Sequence, residues 1–356
     1  MEEEALNFLE KLVNTISPSG FEGEAAEIWK ERARGFADEV KGDLHGNSFA
    51  VVNEGGSPKV MLAGHIDEIG LMVNRIDEDG YVFFNTIGGW DPQVLPGQRV
   101  RLRGKGQEEY VVGVIGRKPI HLLEEDERKE VVKFENLWID IGAADKEEAK
   151  ELLEIGAPGV LDYDFARLRG SLAAARGFDD KCGAFAVLEA ARKVAQLAPQ
   201  AEVHAVATVQ EEIGLRGAQT SAFGIKPDVG IAVDVGHGTD TPLAGKQKRK
   251  VGEVELSAGP LLSRGPNINP KLFRRLQEVA EEKELPYQVI GAPGGTGTDA
   301  NAIQLSRSGV ATALVSVPNR YMHSPCEVID IDDLDDVSTL IAETIRGMEE
   351  EDLIPF

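Results

Sequence analysis

The chain is short of cysteine, of basic residues and of long apolar runs, and each shortage removes a class of explanation. Two cysteines in 356 residues, Cys182 and Cys326, are too few for a disulfide framework. Lys plus Arg number 38 against 61 Asp plus Glu, a formal charge of −23. Nucleic-acid backbones and anionic membranes recruit clustered Lys and Arg, so neither is an expected partner. No apolar run approaches the ~20 residues that span a bilayer. The first ten residues, Met1 to Glu10, carry acid where a secretory leader carries base. The expected location is therefore the cytoplasm. Internal repeats and low-complexity tracts are also missing.

What remains is a length comfortable for two domains and 42% hydrophobic residues to build their cores. Residues 3–16 place Leu6, Leu9, Leu12 and Val13 on one helical face. Ser17-Pro18 breaks that helix, and Ser19 with Glu22 has capping-box spacing for a second helix running to about Val40. Strands are expected over 43–52 and 59–63. From about Glu68 to Asp164 the pattern changes to short strand-like pieces, such as 81–84, 98–103, 110–115 and 137–141, with one helix near 146–153. Alternating strand and helix patterns flank that stretch on both sides. The expected organisation is an α/β domain of residues 1–67 and 165–356, with a mixed sheet flanked by helices, interrupted by an inserted β-rich domain of residues 68–164.

Acid and imidazole recur where apolar strands end or helices begin. Glu211 and Glu212 follow the buried-looking run 201–207 and precede a glycine-rich turn. His65 and Asp67, two apart and so on one face of an extended chain, follow 59–63. Asp179 and Asp180 open a helix, Asp234 and His237 close the strand 227–237, and His323 follows the strand 311–317. Each has a bland explanation by itself: a solvated Glu pair, a structural histidine, an N-cap that needs one aspartate. Their coincidence at equivalent positions of one sheet, in a chain with six histidines, is harder to explain that way. Gly291 to Asp299 reads as a ligand-facing loop, and without a Lys it is not a phosphate-binding loop.

Two imidazoles and three carboxylates suit a pair of divalent ions such as zinc, cobalt or manganese. Asp179 is the expected bridge, because a helix amino terminus favours an anion. His65 and Asp234 would complete one ion, Glu212 and His323 the other, with Asp67 as the candidate that orients His65. Glu211 is left without a metal and is placed to act as general base on a water and general acid on a leaving amine. The reaction class is amide hydrolysis.

Six stretches carry a family resemblance: Gly64-His-Ile-Asp-Glu-Ile-Gly70, Gly177-Phe-Asp-Asp-Lys181, Val209-Gln-Glu-Glu-Ile-Gly214, Val233-Asp-Val-Gly-His237, Gly297-Thr-Asp-Ala300 and Arg320-Tyr-Met-His-Ser-Pro325. In this order they resemble the signatures of the TET-type dinuclear metallo-aminopeptidases, which include glutamyl and deblocking aminopeptidases and members labelled endoglucanases. The resemblance implies a zinc-peptidase-like α/β domain split by a PDZ-like β-barrel that dimerises, and dimers that assemble into a hollow tetrahedral dodecamer. It implies an aminopeptidase acting on short peptides with zinc or cobalt. It also implies His65, Asp179, Glu212, Asp234 and His323 as ligands, Glu211 as catalytic base, Asp67 as orienter and a cis Asp179–Asp180 peptide. Competing expectations are an N-acyl amino acid deacylase on the same scaffold and a non-catalytic, peptide-binding shell. An endoglucanase would leave His65 and His323 unexplained. Cys182 and Cys326 read as reduced packing residues, and Arg320 as either a substrate-carboxylate partner or a structural residue.

Overall fold

A computed structural model of the chain describes residues 1–106, 109–349 and 353–355. It opens with α1 (Glu3–Asn14) and α2 (Gly23–Ala33). α1 forms because Phe8, Leu9, Leu12 and Val13 recur at helical spacing and are all buried; Leu6 is partly buried at the margin of that face. α2 stops at Ala33, well short of Val40. Val40 instead pairs with Ala50, joining β1 (Glu39–Gly42) to β2 (Ser48–Val52), because tertiary strand pairing outweighs a weak helical preference. The expected capping box does not form either. Glu22 is the N-cap residue but its side chain makes no cap bond, and Ser19 Oγ donates instead to Asp67 Oδ2 at 2.6 Å.

After β3 (Lys59–His65) the chain runs through β4 (Gly70–Ile76), β5 (Val82–Ile87), β6 (Arg99–Arg103), β7 (Tyr110–Gly116), β8 (Trp138–Asp140), α3 (Lys146–Leu152) and β9 (Pro158–Leu161). It continues with β10 (Ala166–Arg167), β11 (Leu172–Ala175), α4 (Phe178–Gln196), β12 (Glu202–Thr208), α5 (Arg216–Ile225) and β13 (Val229–His237). Last come α6 (Gly245–Val251), β14 (Leu261–Arg264), α7 (Pro270–Glu282), β15 (Gln288–Gly291), α8 (Asp299–Ile303), β16 (Ala311–Arg320), β17 (Glu327–Asp330) and α9 (Ile331–Arg346). Among the described residues no helix is long and apolar enough to cross a membrane.

The main sheet is mixed, in the order β1-β2-β12-β3-β13-β16-β17-β11-β10, with β14 added to β16 and β15 to β14. β12, β3, β13 and β16 run parallel, so their carboxyl ends lie along one edge. β3 is buried nearly end to end and α4, whose Ala184, Ala186, Ala190 and Ala191 are all buried in the same core, packs on it.

Strands β4-β5-β8-β7-β6-β9 close into an antiparallel barrel with its own core of Leu71, Val82, Leu95, Val100, Leu102 and Ile139. Closure leaves no unpaired strand edge. A buried ion cluster ties the two passages between sheet and barrel. Lys181 Nζ donates to Glu68 Oε1 and to Thr15 O, both at 2.6 Å, and Arg176 donates to Val13 O, Asn14 O and Tyr163 O. Burial alone would raise Glu68, but the Arg176 and Lys181 charges hold it below the usual carboxylate range.

Candidate metal centre

The parallel register sets Thr208 of β12 beside His65, the last residue of β3, and Asp234 of β13 beside Ser316 of β16. Glu211 and Glu212 lie on the turn that follows β12, and His323 on the turn that follows β16. Both turns pass through left-handed backbone at non-glycine residues, Gln210 and His323, each at φ 57°, a conformation that costs about 1 kcal/mol or more. Asp179 arrives from the irregular start of α4. That helix reaches the edge because Gly64 and Gly183 face each other: a Cβ on Gly64 would lie 2.3 Å from the Gly183 carbonyl carbon. The Asp179–Asp180 peptide is cis.

The five side chains form two triads that share Asp179. His65, Asp179 and Asp234 bring one nitrogen and two oxygens within 4.8 Å of one another, and Asp179, Glu212 and His323 do the same. One Asp179 oxygen lies 3.2 Å from His65 Nε2 and the other 3.3 Å from His323 Nε2. Glu212 Oε1 is 3.4 Å from His323 Nε2, is buried and has no hydrogen-bond partner among the described residues. Glu211 belongs to neither triad, and its Oε2 stands 3.8 Å from His65 Nε2.

The electrostatics of the bare protein are those of a cluster short of positive charge. Burial pushes Glu211 up to about 9, raises Glu212 and drives Asp234 well above the carboxylate range, and the neighbouring acids add to each shift. Asp179 goes the other way: burial would raise it, but His323 and His65 outweigh burial and hold it low. Asp179 and Glu212 raise His323 to about 11. Buried carboxylates in such numbers need compensating cations, and an imidazole and carboxylate donor set suits divalent ones.

A model of the M42 glutamyl aminopeptidase family matches residues 46–340. This chain belongs to that family. It is 40% identical over 352 residues to the lysyl aminopeptidase of Pyrococcus furiosus, covering 98% of both chains. It is similar to the TET aminopeptidase of the marine sediment archaeon Thaumarchaeota archaeon SCGC AB-539-E09, with TM-score 0.92, 35% identity and 99% of each chain covered. It is likewise similar to the Pyrococcus horikoshii TET1 peptidase, described as assembling into a tetrahedron or a large octahedral shell (TM-score 0.84, 32% identity, 97% of this chain and 100% of that one). The chain is a peptide hydrolase of the metal-dependent aminopeptidase type, and the mixed sheet with its closed barrel is the architecture of the TET structures.

In this M42 family chain the triads are held by buried acids that accept backbone N–H groups; sequence reasoning singled out Asp67 and Asp180 among them and missed Glu327. Asp67 accepts from Glu211 N at 3.0 Å and from Glu212 N at 3.3 Å. His65 Nδ1 meets the Asp67 carbonyl at 3.1 Å and its carboxylate only at 3.5 Å, so the ring is held chiefly by the backbone oxygen. Asp180 accepts from His65 N and Gly183 N, both at 3.1 Å. Glu327 accepts from Asp179 N at 2.8 Å and His323 N at 3.1 Å. Glu327 has the only signal a sequence could offer: an acid beside the apolar Val328-Ile329, four residues past a candidate ligand.

Arg320 makes a two-nitrogen pair with Asp240, the structural alternative of the two expected for it. Cys182 is buried and Cys326 half-buried; both are free, burial raises both thiols, and neither joins a triad. The barrel also touches the site. A Cβ on Gly88, just past β5, would lie 3.2 Å from Glu212 Oε2, and one on Gly89 would lie 3.2 Å from His323 Nδ1. The triads open into a cavity of about 530 Å³, and the 291–299 loop lines it through Ala292, Gly295, Thr296, Gly297 and Thr298.

Proposed function

We propose that this family member removes the amino-terminal residue from short peptides, with His65, Asp179 and Asp234 holding one divalent cation and Asp179, Glu212 and His323 holding a second. Zinc and cobalt both suit these ligands. The observation that carries the reading is that two ligand triads share Asp179 while a fourth acid in the same cavity, Glu211, stays outside both. When bound, such cations polarise a scissile carbonyl and acidify a water. Glu211, outside both triads but in the same cavity, would take a proton from the attacking water and hand it to the departing amine. Asp67 orients His65 and fixes the Glu211–Glu212 turn, so that base and ligand keep their separate directions.

The same reading takes residues 1–67 and 165–356 as the catalytic domain and 68–164 as the inserted dimerisation domain, in a cytoplasmic particle built from dimers up to a dodecamer. The assembly described for the P. horikoshii relative supports the particle, and the separate barrel core supports the division into domains.

Glu211→Gln tests the mechanism. The variant keeps both cations by metal analysis and loses aminoacyl-amide hydrolysis by about three or more powers of ten. Near-normal turnover by this variant ends the proposed role of Glu211.

A further inference from the structure

The cavity runs sideways from the triads along one face of the sheet. Asp234 on β13 is in register with Ser316 on β16, and Leu314, two residues before Ser316, points to the same face. On the adjoining strands Ser263 of β14 is in register with Ile290 of β15. All four line the cavity. Ser263, Leu314 and Ser316 are 2%, 4% and 3% exposed and form its floor, whereas Ile290 is half-buried at its far side.

Charge is missing from that floor. Beyond the triads and Glu211, the ionisable side chain that lines the cavity among the described residues is His237, which is exposed and so sits at the rim. α6 bears Lys246, Lys248, Arg249 and Lys250, yet of this helix only Val251 lines the cavity. With Asp234 engaged in its triad, a lysine ammonium on the floor would have Leu314, Ile290 and two serine hydroxyls around it and no further carboxylate among the described lining residues, and a glutamate would find no Lys or Arg there. A charge held there without a partner is strongly disfavoured.

We propose that this floor seats the side chain of the substrate's first residue and selects an uncharged one of leucine or methionine size. The inference rests on the aminopeptidase reading and departs from both the lysyl name of one relative and the glutamyl name of the family.

The test is a panel of aminoacyl chromogenic amides of Leu, Met, Lys, Arg, Glu and Asp, with protein stripped by chelator and reloaded with zinc or cobalt. The expected result is kcat/KM for Leu and Met about tenfold or more above every charged member. Hydrolysis in which Lys, Arg, Glu or Asp comes within about threefold of Leu, or exceeds it, overturns the inference and leaves the aminopeptidase reading standing. No hydrolysis of any member overturns both. Ser263→Asp should shift the Lys-to-Leu ratio of kcat/KM upward by about tenfold, because it supplies the missing carboxylate. If that buried substitution prevents folding, Ile290→Asp at the half-buried end serves, with the same expected direction. An unchanged ratio in a folded variant counts against the seat.

Discussion

Strands β3 and β12 carry buried acid near both ends, and the two ends behave in opposite ways. At the amino end Glu202 meets partners supplied by the chain itself: the Lys59 ammonium at 2.9 Å and His204 Nε2 at 2.5 Å, with Gly55 N at 2.8 Å on its other oxygen. Burial would raise Glu202, but these partners bring it down to about 2. At the carboxyl end Asp179, Glu211, Glu212 and Asp234 have, among the described residues that line the cavity with them, His65, His237 and His323 and no Lys or Arg, and three of the four acids are pushed upward. One end is complete as folded. The other reaches balance by taking up protons or cations from outside, which is how a candidate binding site differs from a structural ion pair on the same strands.

The comparison breaks most readily at Asp179, the acid common to both triads. Asp179→Ala should lower kcat/KM by about four powers of ten and leave neither cation retained after dialysis, as read by metal analysis. Retention of one full equivalent would mean that the triads are independent.

Asp234→Asn sharpens the contrast through stability. Relief of buried like charge should make the chelator-stripped protein more stable by about 1–2 kcal/mol, while the stabilisation gained on adding zinc or cobalt shrinks. Thermal unfolding with and without chelator reads both terms. A less stable stripped variant would show that the carboxyl end is already balanced without cations.

Glu327 touches neither a proposed cation nor the cavity, yet it holds the backbone of Asp179, shared by both triads, and of His323 in the second. Glu327→Gln keeps the shape and weakens acceptance of those two N–H groups. Metal affinity should fall by about 10–100-fold, measured by competition with a chromogenic chelator, with the fold intact by circular dichroism.

The smallest effect belongs to the amino end. The folded pKa of Glu202, about 2, lies below its ordinary 4.5, so its contribution is fully present above pH 4.5 and is lost as pH falls toward 2. Glu202 is buried but its partner Lys59 is about one-third exposed at the surface, and screening there reduces that contribution to about 1 kcal/mol at neutral pH. Glu202→Gln should therefore cost about 1 kcal/mol at pH 7, shrinking toward zero between pH 4.5 and 2 in urea unfolding. Activity should not change.

Much of the centre was legible because its residues sit at strand and helix ends that apolar periodicity marks. His65, Glu211, Glu212, Asp234 and His323 each follow or close a Val-, Ala- or Ile-rich run, and Asp179 opens a helix. The change from long alternating patterns to short strands likewise exposed the barrel between β3 and β10. Less was legible where local and tertiary preferences compete. Ser19 and Glu22 have capping-box spacing, but the Ser19 hydroxyl finds a stronger acceptor in the Asp67 carboxylate, 48 residues away.

The sequence by itself determined which chemistry was available: ligand-type side chains at strand ends, a spare glutamate, an acidic surface and an interrupted α/β pattern. Tertiary structure decided how those groups are held and what lies around them. The Glu327 bond to Asp179 N joins residues 148 apart, the Gly64–Gly183 contact exists only where a helix crosses a strand, and the uncharged floor is made by neighbouring strands β16, β14 and β15. Periodicity reports which face a residue takes on its own element. Which distant N–H group a carboxylate accepts, and which side chains stand beside it, depends on how those elements pack.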